Sequence, residues 1–68
     1  MNGDFSGENW SGFNFSNQNL EGANFENSVL IEANFDDARL FDSNFKNSKL
    51  DSSTFNDALV DLSDFTGA

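Results

Sequence analysis

The sequence repeats with a period of five residues, and this period restricts the possible fold more than any other feature. Every fifth position from residue 5 to residue 65 carries a large apolar side chain. An α-helix turns about 100° per residue, so steps of five would spread these side chains around the whole helix. A flat β-strand alternates its faces, so the same step would place successive members on opposite faces. Neither regular element can bury the set on one side.

A chain that bends after each short extended segment does bury the set. Positions two apart in an extended segment point the same way, so the large residue and the residue two before it both face inward. The latter position is small in every repeat from Ala23 to Ala68. Asn, Asp, Ser and Gly, which surround the bends, are typical turn residues. The sequence therefore predicts an all-β coil whose segments pair with those one level above and below.

The identities of the large residues predict four sides per coil. Phe recurs every ten residues and alternates with Leu, Trp or Val. Four sides stack Phe on Phe throughout, whereas three sides would place Phe5 on Leu20. The predicted core columns are Phe5, Phe25, Phe45 and Phe65; Phe15, Phe35 and Phe55; Leu20, Leu40 and Val60; and Trp10, Leu30 and Leu50.

The repeat resembles the motif of the pentapeptide-repeat family, which is a small residue, Asn or Asp, Leu or Phe, and two variable residues. Residues 23–27 (Ala-Asn-Phe-Glu-Asn) and 33–37 (Ala-Asn-Phe-Asp-Asp) match it fully. The resemblance covers nearly the whole chain and implies a right-handed quadrilateral β-helix, here of about three and a half coils. It implies little about activity. The best-known members protect type II topoisomerases such as DNA gyrase by imitating duplex DNA.

The first coil, about residues 1–20, departs from the repeat and is predicted to be a cap. Its small positions hold Gly3, Glu8, Phe13 and Gln18. Terminal repeats of solenoids are atypical, because no coil lies beyond them. We interpret Phe13 and Trp10 as a lid over the end of the apolar core, and an aromatic binding site at these two residues is the alternative.

Apolar residues at outward positions form a candidate interaction surface. They lie on two opposite faces: Val29 and Ile31 on one, and Phe41, Leu59 and Leu62, near the C-terminus, on the other. Exposed apolar clusters usually mark contact sites, and the motif runs to Ala68 without a polar cap, which leaves a strand edge open to pairing. We expect a protein partner or a homo-oligomer at the C-terminal coil and this patch. Tolerated surface residues are the alternative.

The charge balance restricts the partners further. The chain has 12 acidic and 3 basic residues and a formal net charge of −9, which argues against direct binding to nucleic acid or to an anionic membrane. Two neighbouring faces carry a candidate acidic edge: Asp36, Asp37 and Asp57 on one, and Glu21, Asp42 and Asp61 on the next. Such an edge could imitate DNA and inhibit a topoisomerase or a phage-defence nuclease. Solvated surface acids are the simpler interpretation.

The sequence predicts no catalysis. His and Cys are absent, and with them the commonest general base, the best nucleophile and the usual zinc ligands. We predict one domain over residues 1–68 that acts as a non-enzymatic module without cofactor, metal or small-molecule substrate. The N-terminus lacks the pattern of a signal peptide and no apolar run is long enough to span a bilayer, so we expect a cytoplasmic protein without membrane contact.

Overall fold

A computed structural model of the chain describes residues 3–68 as single-residue parallel β-bridges separated by turns. This range contains no helix of the length and apolarity that a membrane crossing requires. Each bridge joins residues twenty positions apart. The bridges run along four sides, which we call side A (Asp4, Asn24, Asn44, Asp64), side B (Asn9, Val29, Lys49), side C (Asn14, Asn34, Thr54) and side D (Asn19, Arg39, Leu59). We call residues 3–22, 23–42 and 43–62 levels 1, 2 and 3.

Backbone hydrogen bonds join each level to the next. On side A the Phe25 N–H donates to the Asn44 carbonyl oxygen at 2.7 Å, and the Asn44 N–H donates back to Ala23 at 2.9 Å. A third bond joins the following turns, from the Asn27 N–H to the Lys46 carbonyl oxygen at 2.9 Å. The same pattern recurs on the other sides. Since each short segment obtains its backbone partners from another level, the fold depends on stacking rather than on any isolated element.

Every turn places one residue at positive φ. In the turn from Leu20 to Ala23, the Ala23 N–H donates to the Leu20 carbonyl oxygen at 2.9 Å, and the third residue, Gly22, has a φ of 73°. A positive φ at this position characterises type II turns and favours Gly or Asn. Nine non-glycine residues also adopt it: Asn17, Asn27, Glu32, Asp37, Asp42, Asn47, Ser52, Asp57 and Leu62. Leu62 is the bulky apolar member of this set.

The core is built from aromatic columns that meet edge to face. The ring centroids of Phe25 and Phe45 lie 4.9 Å apart with planes inclined by 10°, and Phe35 stacks in the same way on Phe55. Phe25 meets Phe35 across the axis at 5.4 Å and 89°. Both arrangements are favourable for aromatic rings. The buried apolar residues are Phe15, Ala23, Phe25, Leu30, Ala33, Phe35, Ala38, Leu40 and Phe45.

From Ala23 onward, small residues occupy the crowded position two before each large one, and the buried serines among them are satisfied locally. The buried Ser28 hydroxyl donates to the Phe25 carbonyl oxygen at 2.6 Å, and the buried Ser48 hydroxyl donates to Phe45 at 2.8 Å. Within residues 3–68 every buried side-chain nitrogen or oxygen has a hydrogen-bond partner. Ser can therefore replace Ala at this position without leaving a buried hydroxyl unpaired.

The outer levels bury less of their large side chains. Phe5, Trp10, Leu20, Leu50, Phe55 and Phe65 are partly buried and pack against the core. Val60 is 37% exposed although Leu40, one level below in the same column, is fully buried. The expectation that Val60 is a core residue is therefore corrected: Val60 has a stacked neighbour on one side only within the described part of the chain.

Candidate interaction surface

The first level carries an aromatic cluster at its end. The Trp10 ring meets Phe5 edge to face at 5.6 Å and Phe13 at 5.1 Å. Its indole N–H donates to the Phe5 carbonyl oxygen at 2.9 Å. In other turns the equivalent carbonyl oxygen accepts the backbone N–H three residues later, as the Leu20 oxygen does from the Ala23 N–H. Phe13 is half exposed and packs on Phe15 at 5.2 Å. The ring contacts place Trp10 and Phe13 beside Phe5 and Phe15, the first members of their core columns.

Asn side chains at the bridge positions cap the turns that follow them. The Oδ1 atom of Asn24 accepts the Glu26 N–H at 2.9 Å, and Asn34 accepts the Asp36 N–H at 2.8 Å. Such Asx turns satisfy a backbone donor that the level-to-level ladder does not use. The preference for Asn or Asp immediately before the large residue therefore has a local cause and requires no ligand.

Asp4 and Asp64 cap their turns in the same way and accept a second hydrogen bond. The Asp64 carboxylate accepts the Thr66 hydroxyl at 2.6 Å and the Thr66 N–H at 2.9 Å, and Asp4 makes the corresponding pair of bonds with Ser6. These hydrogen bonds, the side-chain bond first, lower the pKa of both carboxyl groups below the ordinary value of 3.8.

Exposed apolar side chains gather in level 3 where side D meets side A. Leu59 is 45% exposed, Val60 37% and Leu62 84%. Leu59 and Val60 are adjacent, and the turn that starts at Val60 holds Leu62 at its third position with a φ of 64°. We call Leu59, Val60 and Leu62 the Leu62 patch. At the equivalent turn position, levels 1 and 2 hold Gly22 and Asp42.

Phe41 lies in the equivalent turn one level below that of Leu62 and is partly exposed. The Arg39 guanidinium carbon lies 5.3 Å from the centroid of the Phe41 ring, a cation–π distance. Arg39 is in turn bridged to Leu59 in the next level. Arg39 therefore covers the Phe41 ring and links it, through its bridge, to the level of Leu59.

Val29, on side B, and Ile31, in the turn after it, do not form a comparable surface. Val29 is partly buried and is bridged to Asn9 and to Lys49. Ile31 is 37% exposed. A single half-exposed aliphatic residue is ordinary on a protein surface. The structure thus separates the predicted interaction residues into one cluster and one isolated side chain.

The predicted acidic residues lie at the two corners that border side D. Asp36, Asp37 and Asp57 occupy the turns that join side C to side D, and Glu21, Asp42 and Asp61 occupy those that join side D to side A. The one ion pair of the described residues lies elsewhere, between Lys46 and Asp64 at 3.7 Å on the surface. No group of acidic side chains in residues 3–68 has the arrangement of a metal site.

One of these acids has a structural role. Asp36 Oδ1 accepts the Asn56 N–H from the level above at 2.9 Å. Thr54 stands where most repeats carry a capping Asn or Asp, and its hydroxyl donates to Asn34 at 3.3 Å instead. Asp36 thus supplies the cap that the turn after Thr54 lacks.

The geometry defines a class of protein, a stacked repeat in which each level pairs with the levels directly above and below it. A family model described as pentapeptide repeats matches the chain in eight copies, at residues 4–37, 11–47 and 19–57. The chain belongs to the pentapeptide-repeat family, whose repeats imply a β-helix. No curated protein and no solved structure matches it.

The sequence reasoning missed one member of the Leu62 patch, one residue beside it and the positive φ of its turn. Val60 was assigned to the core, because its burial depends on the neighbouring level, and Arg39 was assigned no role, because its contact with Phe41 depends on side-chain placement. The sequence reasoning also missed that the third residue of every turn has a positive φ. The sequence does carry a signal for it, because this position holds Gly or Asn at residues 7, 12, 17, 22, 27, 47 and 67. Against that background Leu62 stands out.

Proposed function

We propose that the chain forms a right-handed quadrilateral β-helix of about three and a half coils and acts as a non-enzymatic interaction module that docks a protein through the Leu62 patch. The observation that carries this proposal is Leu62 itself, 84% exposed at a φ of 64°. The left-handed conformation costs an L-residue with a bulky side chain about 1–2 kcal/mol, and an exposed leucine adds little burial in return. A residue that opposes folding in both respects is typical of a functional position.

The rest of the surface offers weaker candidates. Ile31 is isolated, and Phe13 is engaged with Trp10 and Phe15. The Leu62 patch places three exposed aliphatic side chains, Leu59, Val60 and Leu62, at one corner within four residues of sequence. Grouped apolar exposure of this kind is what distinguishes contact surfaces from scattered surface residues.

Site-specific photo-cross-linking in cells that express the chain tests this proposal. A photo-reactive amino acid replaces Leu62 in one variant and Ser52 in another, because Ser52 occupies the same turn position with a φ of 61°. We expect a discrete adduct from position 62 that is absent from position 52. The adduct should disappear when Leu59→Asp is added. Identical adducts from both positions, or none from position 62, would contradict docking at this patch.

A second copy is one candidate for the docked protein, and sedimentation velocity over a concentration series tests it. The Leu62→Asp variant is the matched control, since Asp42 already occupies the equivalent position with a φ of 58° and the fold tolerates it. Self-docking predicts a mass that rises with concentration in the wild type and stays monomeric in the variant. A wild-type monomer at every concentration leaves docking to a different protein.

A DNA-mimic inhibitor is the second candidate function, favoured by the two acidic corners that border side D. Its test is inhibition of a type II topoisomerase, measured as DNA supercoiling by gyrase. The triple variant Asp36→Asn, Asp37→Asn and Asp57→Asn keeps the Oδ1 acceptor by which Asp36 caps Asn56, so it removes charge without removing the cap. Inhibition that is lost in this variant and weakens steeply with salt supports mimicry. Absence of inhibition by the wild type contradicts mimicry directed at gyrase, and the same pair of proteins then tests a phage-defence nuclease by its DNA cleavage.

A further inference from the structure

We propose that the protein that docks on the Leu62 patch presents an amphipathic segment whose apolar face is edged with Lys or Arg, and that it is not a second copy of this chain. This inference rests on the proposed function and adds the chemistry of the partner. It is carried by the charges that surround the patch.

Acidic side chains follow the corner on which Leu62 lies. Asp61 precedes Leu62 in its turn, and Asp42 occupies the same turn position as Leu62 one level below. The two turns are joined by the hydrogen bond from the Asp42 N–H to the Asp61 carbonyl oxygen at 3.1 Å. The next turn down carries Glu21, and the Gly22 N–H donates to the Phe41 carbonyl oxygen at 2.8 Å. The corner that carries the apolar patch therefore also carries one acidic residue in each level, and we call Glu21, Asp42 and Asp61 the acidic column.

The basic residues of the chain balance at most one of the three charges in this column. Lys46 pairs with Asp64, and Lys49 lies on side B, opposite side D. Arg39 places its guanidinium group over the ring of Phe41, which belongs to the same corner, and the one ion pair of the described residues does not involve it. Arg39 supplies one positive charge against Glu21, Asp42 and Asp61, so the remaining negative charge must be complemented by cations of another molecule.

Charge also argues against a second copy as the occupant. Two chains, each with a formal net charge of −9, would bring the same acidic column against itself in a two-fold pairing of the patch. Like charges placed across an interface oppose association. A partner with apolar residues flanked by Lys or Arg instead satisfies both the patch and the column beside it.

The convex shape of the surface around Leu62 indicates which kind of peptide can test the proposed partner. Residues 3–68 enclose no pocket, so Leu62 projects from a convex corner and the partner must supply the apolar recess. An amphipathic helix has grooves between its apolar side chains and carries polar residues along both rims of the apolar stripe. A synthetic helical peptide with Leu on one face and Lys on the other reproduces this chemistry, and one with Glu in place of Lys is its control.

Fluorescence anisotropy of the labelled peptides, titrated with the folded chain, tests the inference. We expect the Leu/Lys peptide to bind and the Leu/Glu peptide to bind at least about tenfold more weakly, since like charges then face the column. A Ser/Lys peptide should also bind at least about tenfold more weakly, since burial of the patch is lost. Equal binding of the Leu/Lys and Leu/Glu peptides would overturn the inference.

Two matched substitutions distinguish this site from general attraction to an acidic protein. Asp42→Asn and Asp57→Asn each remove one charge at the same turn position, where φ is 58° and 59° respectively. We expect Asp42→Asn to weaken the Leu/Lys peptide about threefold or more and Asp57→Asn to leave it within about twofold, because only Asp42 lies on the corner of the patch. Equal loss in both variants would mean nonspecific attraction and would overturn the inference.

The apolar anchor is tested separately. Leu62→Asn keeps the charge and suits the left-handed turn position, and we expect it to weaken the Leu/Lys peptide by about tenfold or more. Unchanged binding would overturn the inference. If the peptide fails to bind while the cross-linker at position 62 joins two copies of the chain, the basic partner is excluded and docking at the patch stands. If both experiments fail, the proposed function falls as well.

Discussion

Levels 2 and 3 have the same repeat but differ in burial and in surface chemistry. Phe35 and Leu40 in level 2 are completely buried, whereas Phe55 and Val60, twenty residues later, are partly buried and 37% exposed respectively. Phe35 stacks on Phe15 at 5.0 Å and on Phe55 at 4.9 Å, so it has a neighbour on both sides. The difference shows that burial in a stack is decided by neighbouring levels and not by the residue itself.

The surface changes along the stack as well. All four bridge positions of level 1 hold Asn or Asp, and each caps the turn after it. Level 2 keeps this cap on two sides but has Val29 and Arg39 on the others, and level 3 keeps it only at Asn44. The upper levels thus replace capping side chains with Val29, Arg39, Lys49, Thr54 and Leu59. Leu59 of the proposed docking surface occupies one of these exchanged positions.

The largest contrast between the levels is expected from truncating their large side chains. Phe35→Ala should lower the free energy of unfolding by about 3–5 kcal/mol, because it leaves a cavity among four rings. Val60→Ala should lower it by about 1 kcal/mol or less, since that side chain is already partly solvated. Urea denaturation followed by circular dichroism measures both changes. Equal losses would contradict the difference in burial.

A larger side chain at the small position should give a smaller difference between the two levels. Ala38 and Ala58 occupy this position in levels 2 and 3. Ala38 is fully buried and Ala58 is partly buried one level above it. Ala38→Leu should lower the free energy of unfolding by about 1–3 kcal/mol because the surrounding side chains cannot move apart. We expect less than half of that loss for Ala58→Leu, again from urea denaturation. A larger loss at Ala58 would show that the space around it is more restricted than its exposure indicates.

Replacing Leu62 by a residue that suits a positive φ should stabilise the fold. Leu62→Asn should raise the free energy of unfolding by about 0.5–1 kcal/mol, because Asn adopts positive φ with less strain than Leu. The reverse change in level 2, Asn27→Leu, should lower it by a similar amount, since Asn27 has a φ of 60°. The two denaturation midpoints should move in opposite directions. Movement in the same direction would contradict the account of the turn.

The smallest effect is expected from pH. The pKa of Asp64 is lower in the folded chain than its ordinary value of 3.8, because the Thr66 hydroxyl and N–H bind the carboxylate. The stability that this ionised cap contributes is fully present above the unfolded pKa and is lost as pH falls through the lower folded pKa. Asp64→Asn keeps the Oδ1 acceptor but does not titrate, so its stability should fall less steeply below pH 3.8. Parallel losses in the two proteins, measured by thermal unfolding, would contradict this assignment.

Much of this architecture follows from the sequence. The motif at residues 23–27 and 33–37 resembles the pentapeptide-repeat family, and the family is confirmed. The five-residue period predicted stacked short segments, because a period shared with no regular element leaves few ways to bury Phe and Leu together. The surroundings of single residues were less accessible. Val60 repeats the pattern of Leu40 but lies in an outer level, and Phe41 is covered by Arg39. The exposure of Val60 and the cover over Phe41 depend on which residues contact each side chain, and the five-residue period does not predict those contacts.

The pairing offset of twenty residues is the central claim, and engineered disulfides test it most directly. The chain has no cysteine of its own, and Val29 is bridged to Lys49. Adjacent strands about 4.8 Å apart suit a disulfide, so the pair Val29→Cys and Lys49→Cys should oxidise rapidly within one folded chain. The pair Val29→Cys and Asn44→Cys, fifteen residues apart as in a three-sided coil, should remain reduced. Faster oxidation of the second pair would contradict the four-sided stack.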